Sequence, residues 1–111
     1  MAFYENRVLG VGEKTLEKRL NQEVKVRGGK TIKLSSPNQR GVPDRIVLFP
    51  RGRAWFVELK TTGKKLTPLQ QKWFVDLEGL EFPCRLVDSH ETLLAFLKEV
   101  EGVDGVQVHT P

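Results

Sequence analysis

Two β-rich runs, Arg45–Phe49 and Arg53–Lys60, flank Pro50-Arg51-Gly52, and no other feature constrains the fold of this chain as tightly. Branched and aromatic residues interrupted by proline and glycine are the signature of an antiparallel hairpin. Along Arg53–Lys60 the side chains alternate, so Trp55, Val57 and Leu59 share one face while Phe56, Glu58 and Lys60 share the other. Apolar residues on both faces make this a central strand. A carboxylate and an ammonium at the end of a central strand are costly to desolvate unless they are partnered or have chemistry to perform. Folding the hairpin back brings Asp44 to the same place. A two-residue turn at Arg51-Gly52 sets Asp44 opposite Leu59; a three-residue turn sets it opposite Glu58. In either register the two carboxylates lie on neighbouring strands, within reach of one shared cation.

The rest of the chain builds around this hairpin. Leu16, Leu20 and Val24 recur at four-residue spacing, which predicts a helix from about Glu13 to Arg27 that Gly28-Gly29 closes. Thr31–Leu34 reads as a short strand, and Ser35–Pro43, dense in turn residues, as a loop. Thr61–Leu66 is a basic, polar loop. Thr67-Pro68 suits the N-cap and first position of a second helix, with Leu69, Trp73, Phe74, Leu77 and Leu80 as its apolar face. Phe82-Pro83 breaks it, Cys84–Val87 is a strand, and Asp88 or Ser89 caps a last helix through about Val100. The expected order is α-β-β-β-α-β-α, a mixed sheet flanked by helices. The 111 residues form a single domain, with 1–12 as an N-terminal arm and 102–111 as a C-terminal tail.

Composition narrows the function classes. A lone cysteine, Cys84, permits neither an internal disulfide nor a cysteine-based zinc site and is expected in the core. No apolar run approaches the roughly 18 residues of a membrane span, and the first residues lack the basic start and apolar stretch of a signal peptide. These features point to a reducing compartment such as the cytoplasm and to no membrane partner. The net charge is +4 with a pI near 9.4, compatible with a polyanionic partner. Lys33, Arg40, Arg45, Lys60, Lys64 and Lys65 fall near predicted element ends or in loops, whereas Glu91–Pro111 is net acidic. An anion-binding face therefore belongs to the first two-thirds of the chain.

Two adjacent carboxylates repel each other, and a divalent ion is the usual remedy. An oxygen-only ligand set suits Mg2+ or Mn2+ better than zinc. A cation held by Asp44 and Glu58 would activate water and clamp a phosphate oxygen. Lys60, on the face of Glu58, would orient that water or neutralise developing charge.

The order Pro43-Asp44, hairpin, Glu58-Leu59-Lys60 matches the PD-(D/E)XK nuclease pattern, and residues 17–74 resemble its VRR-NUC branch in particular. The pieces that carry the resemblance are Glu17, Gly28-Gly29, Lys33, Ser36-Pro37, Gly41-Val42-Pro43-Asp44-Arg45, Phe56-Val57-Glu58-Leu59-Lys60 and Gln70. Asn38 departs from the glycine common after the Ser-Pro pair, which affects loop shape only. The resemblance implies a restriction-endonuclease-like core. It implies Asp44, Glu58 and the Leu59 backbone carbonyl as metal ligands, Lys60 as catalytic, and Glu17 (a metal contact through water) and Gln70 in support. It implies an endonuclease acting on branched DNA such as Holliday junctions or flaps, of the stand-alone phage or prophage type, working as a homodimer. A homodimer also follows from size, since two symmetric cuts in a four-way junction call for two symmetric sites. The competing functions are a non-catalytic nucleic-acid-binding module of the same fold and a restriction-type nuclease on linear duplex.

Several residues carry two readings. Thr67-Pro68-Leu69-Gln70 is a capping box in which Gln70 reaches back to the Thr67 amide, so Gln70 divides between capping and active-site support. Lys33, Arg40, Arg45, Lys64 and Lys65 are the candidate DNA contacts, against the plainer reading of solvated charges. His90 reads as a surface residue rather than a general base, and Trp55 and Trp73 as core.

Overall fold

The structure, a computed structural model, describes residues 12–35 and 38–102. The arm and the tail, apart from Gly12 and Gly102, lie outside the described residues, as does the Ser36-Pro37 pair. The elements are α1 (Glu13–Val26), β1 (Lys30–Lys33), β2 (Arg45–Phe49), β3 (Arg53–Leu59), α2 (Pro68–Gly79), β4 (Cys84–Val87) and α3 (His90–Gly102). The expected order holds; β1 starts one residue earlier than the sequence suggested and β3 stops one residue sooner.

The strands form a single mixed sheet in the order β1-β2-β3-β4. β1 and β2 pair antiparallel, as do β2 and β3, while β3 and β4 run parallel. A parallel pair needs a crossover, and α2 supplies it. β3 is central, as its two apolar faces require. The hairpin adopts the three-residue alternative: Phe49 pairs with Arg53 and Arg45 with Val57, so Asp44 faces Glu58. The connection uses left-handed backbone at Arg51 (φ 72°) and Gly52 (φ 69°).

Alternation sorts side chains between two unlike faces. On one, Leu16, Leu20 and Val24 of α1 and Leu93, Phe96, Leu97 and Val100 of α3 close over Val47, Phe49, Trp55, Val57, Leu59 and Val87 in one buried cluster. Phe49, Trp55 and Phe96 pack ring against ring, with Trp55 edge-on to Phe96 at 5.9 Å. On the other face α2 buries only Leu77 of its own residues, Cys84 is buried beneath it, and Phe56 meets Phe82 edge to face at 5.9 Å.

Helix ends follow the local chemistry. Gly28 N–H bonds the Lys25 carbonyl and Gly29 N–H the Val24 carbonyl, the paired closure in which a left-handed residue terminates a helix; Gly28 fills it at φ 79°. α2 closes the same way, Glu81 N–H to Glu78 and Phe82 N–H to Leu77, but Glu81 takes the left-handed position at φ 71°. Of the two caps considered for α3, Ser89 is the one used: its hydroxyl accepts from Thr92 N–H at 3.0 Å. Far from the hairpin's open end, Arg27 ties α1 to α3 through Glu101 at 2.7 Å, and Arg85 ties β4 to Glu99 of α3 and Glu78 of α2.

Candidate active site

Asp44 follows the fully buried Pro43 at the entrance to β2, and Glu58 lies one residue from the end of β3. The pair is held by reciprocal bonds. The Asp44 N–H donates to Glu58 Oε1 at 3.1 Å, and the Leu59 N–H donates to Asp44 Oδ2 at 3.0 Å. Each carboxylate is thus fixed by the backbone of the strand opposite, where the ladder between β2 and β3 runs out.

Glu58 is 4% exposed. Burial, and then the charge of Asp44, push its carboxyl up to about 7, against the opposing pull of Lys60 and the Asp44 N–H. Lys60 Nζ stands 3.9 Å from Glu58 Oε2, on the same face, as alternation requires. Gln70 resolves its double reading by using both ends of one amide. Its oxygen accepts from Thr67 N–H at 2.9 Å, and Thr67 Oγ1 accepts from Gln70 N–H at 3.2 Å, which completes the capping box. Its nitrogen donates to Glu58 Oε2 at 3.2 Å.

One expected DNA contact, Arg45, is placed elsewhere, and it takes Glu17 as its partner. Arg45 is 3% exposed, and its Nη2 donates to Glu17 Oε2 at 2.7 Å. As the strand neighbour of Asp44 it points to the opposite face of the sheet, under α1, so it is corrected from a DNA contact to a buried anchor of that helix. Glu17 is its partner; the Arg45 bond is the main reason its carboxyl sits below the usual range. Glu17 thus already has a charged partner, and among the described residues it forms no three-carboxylate group with Asp44 and Glu58. Glu13, one turn earlier on α1, adds the smallest of the charges that push the Glu58 carboxyl up. The resemblance that singled out Glu17 does not extend to Glu13, which lies four residues earlier on the same side of the helix.

The remaining candidates differ in setting. Lys33, Arg40, Lys64 and Lys65 are exposed; the first closes β1, and the others sit in the loops before Asp44 and after Lys60. Trp73, expected in the core, is only half-buried and donates its indole N–H to the Arg40 carbonyl at 2.9 Å. His90 Nδ1 lies 2.8 Å from Arg19 Nη1. A guanidinium only donates, so this nitrogen accepts, and His90 ties α3 to α1. Burial pushes the Cys84 thiol up to about 11, a structural and unreactive sulfur.

Among the described residues no three His, Cys, Asp or Glu side chains group together to hold a metal. The donors present are the paired carboxylates. Mg2+ is commonly held through one or two carboxylates, with water and substrate phosphate completing its shell. Two carboxylates pinned side by side on adjacent strands form an oxygen donor pair whose charge a divalent cation would neutralise, so the residues fit such an ion.

Comparison with known proteins gives a consistent result. A family model described as "VRR-NUC domain" matches residues 3–91. The chain is 41% identical over 81 residues to "Putative nuclease p44" of Acyrthosiphon pisum secondary endosymbiont phage 1, spanning 73% of this chain and 87% of that protein. It superposes on a solved structure described as "VRR_NUC domain" with a TM-score of 0.73 and 28% identity, over 78% of this chain and 94% of the other.

Proposed function

This chain belongs to the VRR-NUC domain family, a nuclease family, and on that premise we propose that it is a divalent-cation-dependent endonuclease that cuts branched DNA, such as Holliday junctions or flaps, as a homodimer. The observation that carries the reading is the reciprocal pinning of Asp44 and Glu58, with Glu58 raised to about 7. Asp44, Glu58 and the Leu59 carbonyl would hold Mg2+ or Mn2+. When bound, that cation supplies Lewis-acid activation of water and neutralises charge on phosphate.

The protein's own groups do the rest. Lys60 stabilises the negative charge that grows on the phosphoryl oxygens. Gln70 and the Asp44 N–H fix the orientation of Glu58, so its oxygens need not reorganise during the reaction. Glu13 adds negative potential at the edge of the site. Lys33, Arg40, Lys64 and Lys65 contact the DNA backbone, which places the substrate without reading its sequence. The preference for branched DNA and the homodimer rest on the family resemblance and on the symmetry of a two-cut reaction. A phage-type relative and the lack of any helix long and apolar enough to cross a membrane among the described residues support action inside an infected or lysogenic bacterium.

The test is a panel of labelled linear, splayed, flapped and four-way DNAs, incubated with and without Mn2+. Wild type is expected to cut the branched forms and spare the matched duplex. Asp44→Asn is expected to abolish cleavage while melting no lower than wild type in metal-free buffer, because it removes ligand charge at nearly constant volume and relieves the repulsion of Glu58. Active Asp44→Asn would sink the cation assignment. Discrete sequence-specific fragments from linear duplex would mark a restriction-type enzyme, and no cleavage of any form by wild type would mark a binding module.

A further inference from the structure

The loop that ends in Asp44 is fastened to α2 from two sides. The Trp73 indole N–H bonds the Arg40 carbonyl at 2.9 Å. One residue on, Gly41 is left-handed at φ 87°, and a Cβ built there would stand 2.7 Å from Leu69 Cγ and 3.1 Å from the Leu69 carbonyl oxygen. The loop backbone therefore lies directly on the second and sixth residues of α2, a closeness only glycine permits. Between these anchors Arg40 is exposed. The helix that holds this loop through Leu69 and Trp73 also holds Glu58 through Gln70. One rigid element thus sets the cation-binding end of β3 and the basic loop before β2 in a common frame.

We propose that Trp73 is a positioning residue for substrate: by holding the Arg40 carbonyl it fixes the loop so that the Arg40 guanidinium meets a phosphate of the strand to be cut. This deepens the nuclease reading and rests on it. Trp73 is only half-buried, so its indole N–H rather than its burial is what reaches the loop, and a loop pinned at 40 and 41 presents the exposed Arg40 from a fixed backbone. Fixing the backbone from which a cationic side chain extends reduces the ordering that binding must otherwise impose on the loop.

The experiment is a double-mutant cycle on DNA affinity. Wild type, Trp73→Phe, Arg40→Ala and the double variant are titrated with a labelled four-way DNA in Ca2+, then assayed for cleavage in Mn2+. Trp73→Phe keeps the ring and loses the donor. It is expected to weaken binding by about five- to tenfold, the scale of one hydrogen bond, with the change in KM exceeding that in kcat. Arg40→Ala is expected to weaken binding comparably and to reduce the salt slope by about one. Because Trp73 acts through Arg40, the double variant binds like Arg40→Ala alone, and Trp73→Phe lowers the salt slope too. Additive losses, or a fall in kcat with KM unchanged, would overturn the proposal while leaving the nuclease reading intact. Should Trp73→Phe fold poorly, Gly41→Ala lifts the same loop from Leu69 and must show the same non-additivity with Arg40→Ala. A wild type that binds DNA but never cuts it would fail the nuclease reading alone, since the binding cycle still decides the role of Trp73.

Discussion

On the α1–α3 face of the sheet Leu16, Leu20, Val24, Val47, Val57 and Leu93 expose none of their surface, whereas around α2 Leu69 is 44% exposed, Val75 69% and Leu80 68%. The same sheet is dry on one side and half-open on the other. Stability and chemistry have separated accordingly. The closed face uses aliphatic and aromatic volume, and charged groups at its edges are paired, Arg45 with Glu17, Arg27 with Glu101 and Arg85 with Glu99. The open face carries the groups proposed for catalysis, Asp44, Glu58, Lys60 and Gln70, gathered where the sheet meets the start of α2. An active site cannot be sealed into a core that must exclude water, so one helix is packed loosely enough to leave its N-terminal turn beside the carboxylates. The N-terminal end of a helix carries partial positive charge, which suits both Glu58 and an approaching phosphate.

The widest gap between the faces is expected in stability. Leu20→Ala opens a cavity in the closed face and should cost roughly 3 kcal/mol in urea unfolding, within the range for buried leucine. Val75→Ala on the open face should change stability by about 0.5 kcal/mol or less. Equal costs would erase the distinction between a sealed and an open side.

Next in size is the response of Glu58 to pH. Its folded value of about 7 stands above the ordinary 4.5, so folding takes up a proton between those limits. Stability is then greatest below about pH 4.5 as far as this group is concerned, falls as pH rises to about 7, and stays low above. The span corresponds to about 3 kcal/mol at most. In metal-free buffer at pH 8 Glu58→Gln should melt above wild type, and adding Mn2+ should raise wild type alone. Melting curves that match at pH 8 would mean Glu58 is not the strained acid of the open face.

The smallest effect sharpens the division between two glutamates one turn apart. Glu17→Gln weakens the partner of buried Arg45 and should cost about 1–2 kcal/mol. Glu13→Gln should leave melting nearly unchanged and lower cleavage more than Glu17→Gln does. The reverse ranking would return Glu17 to the catalytic group and displace Glu13.

Much of the site was legible in the chain because it depends on short-range periodicity. Strand alternation put Glu58 and Lys60 on one face, the Pro-Arg-Gly connection brought Asp44 to Glu58 in either register, and Thr67 with Gln70 announced a helix start. The same alternation, applied to adjacent residues 44 and 45, was sufficient to send Arg45 to the opposite face from Asp44. Its basic charge invited a DNA role that its position denies. Glu13 against Glu17 lay beyond such reasoning. Both occupy one side of α1, and which reaches the carboxylates depends on how far the helix extends past β2 and on where Arg45 takes hold.

What the sequence determined by itself was the order of elements, the hairpin, and the nearness of the two carboxylates, since these follow from local alternation and turn chemistry. Tertiary structure alone decided the rest. It selected the three-residue turn that sets Asp44 squarely opposite Glu58 and gave Glu17 to Arg45. It also turned Trp73 from a core residue into the anchor of the Arg40 loop. Those outcomes depend on contacts between segments far apart in the chain, where burial and the need to pair every buried charge outweigh any local preference.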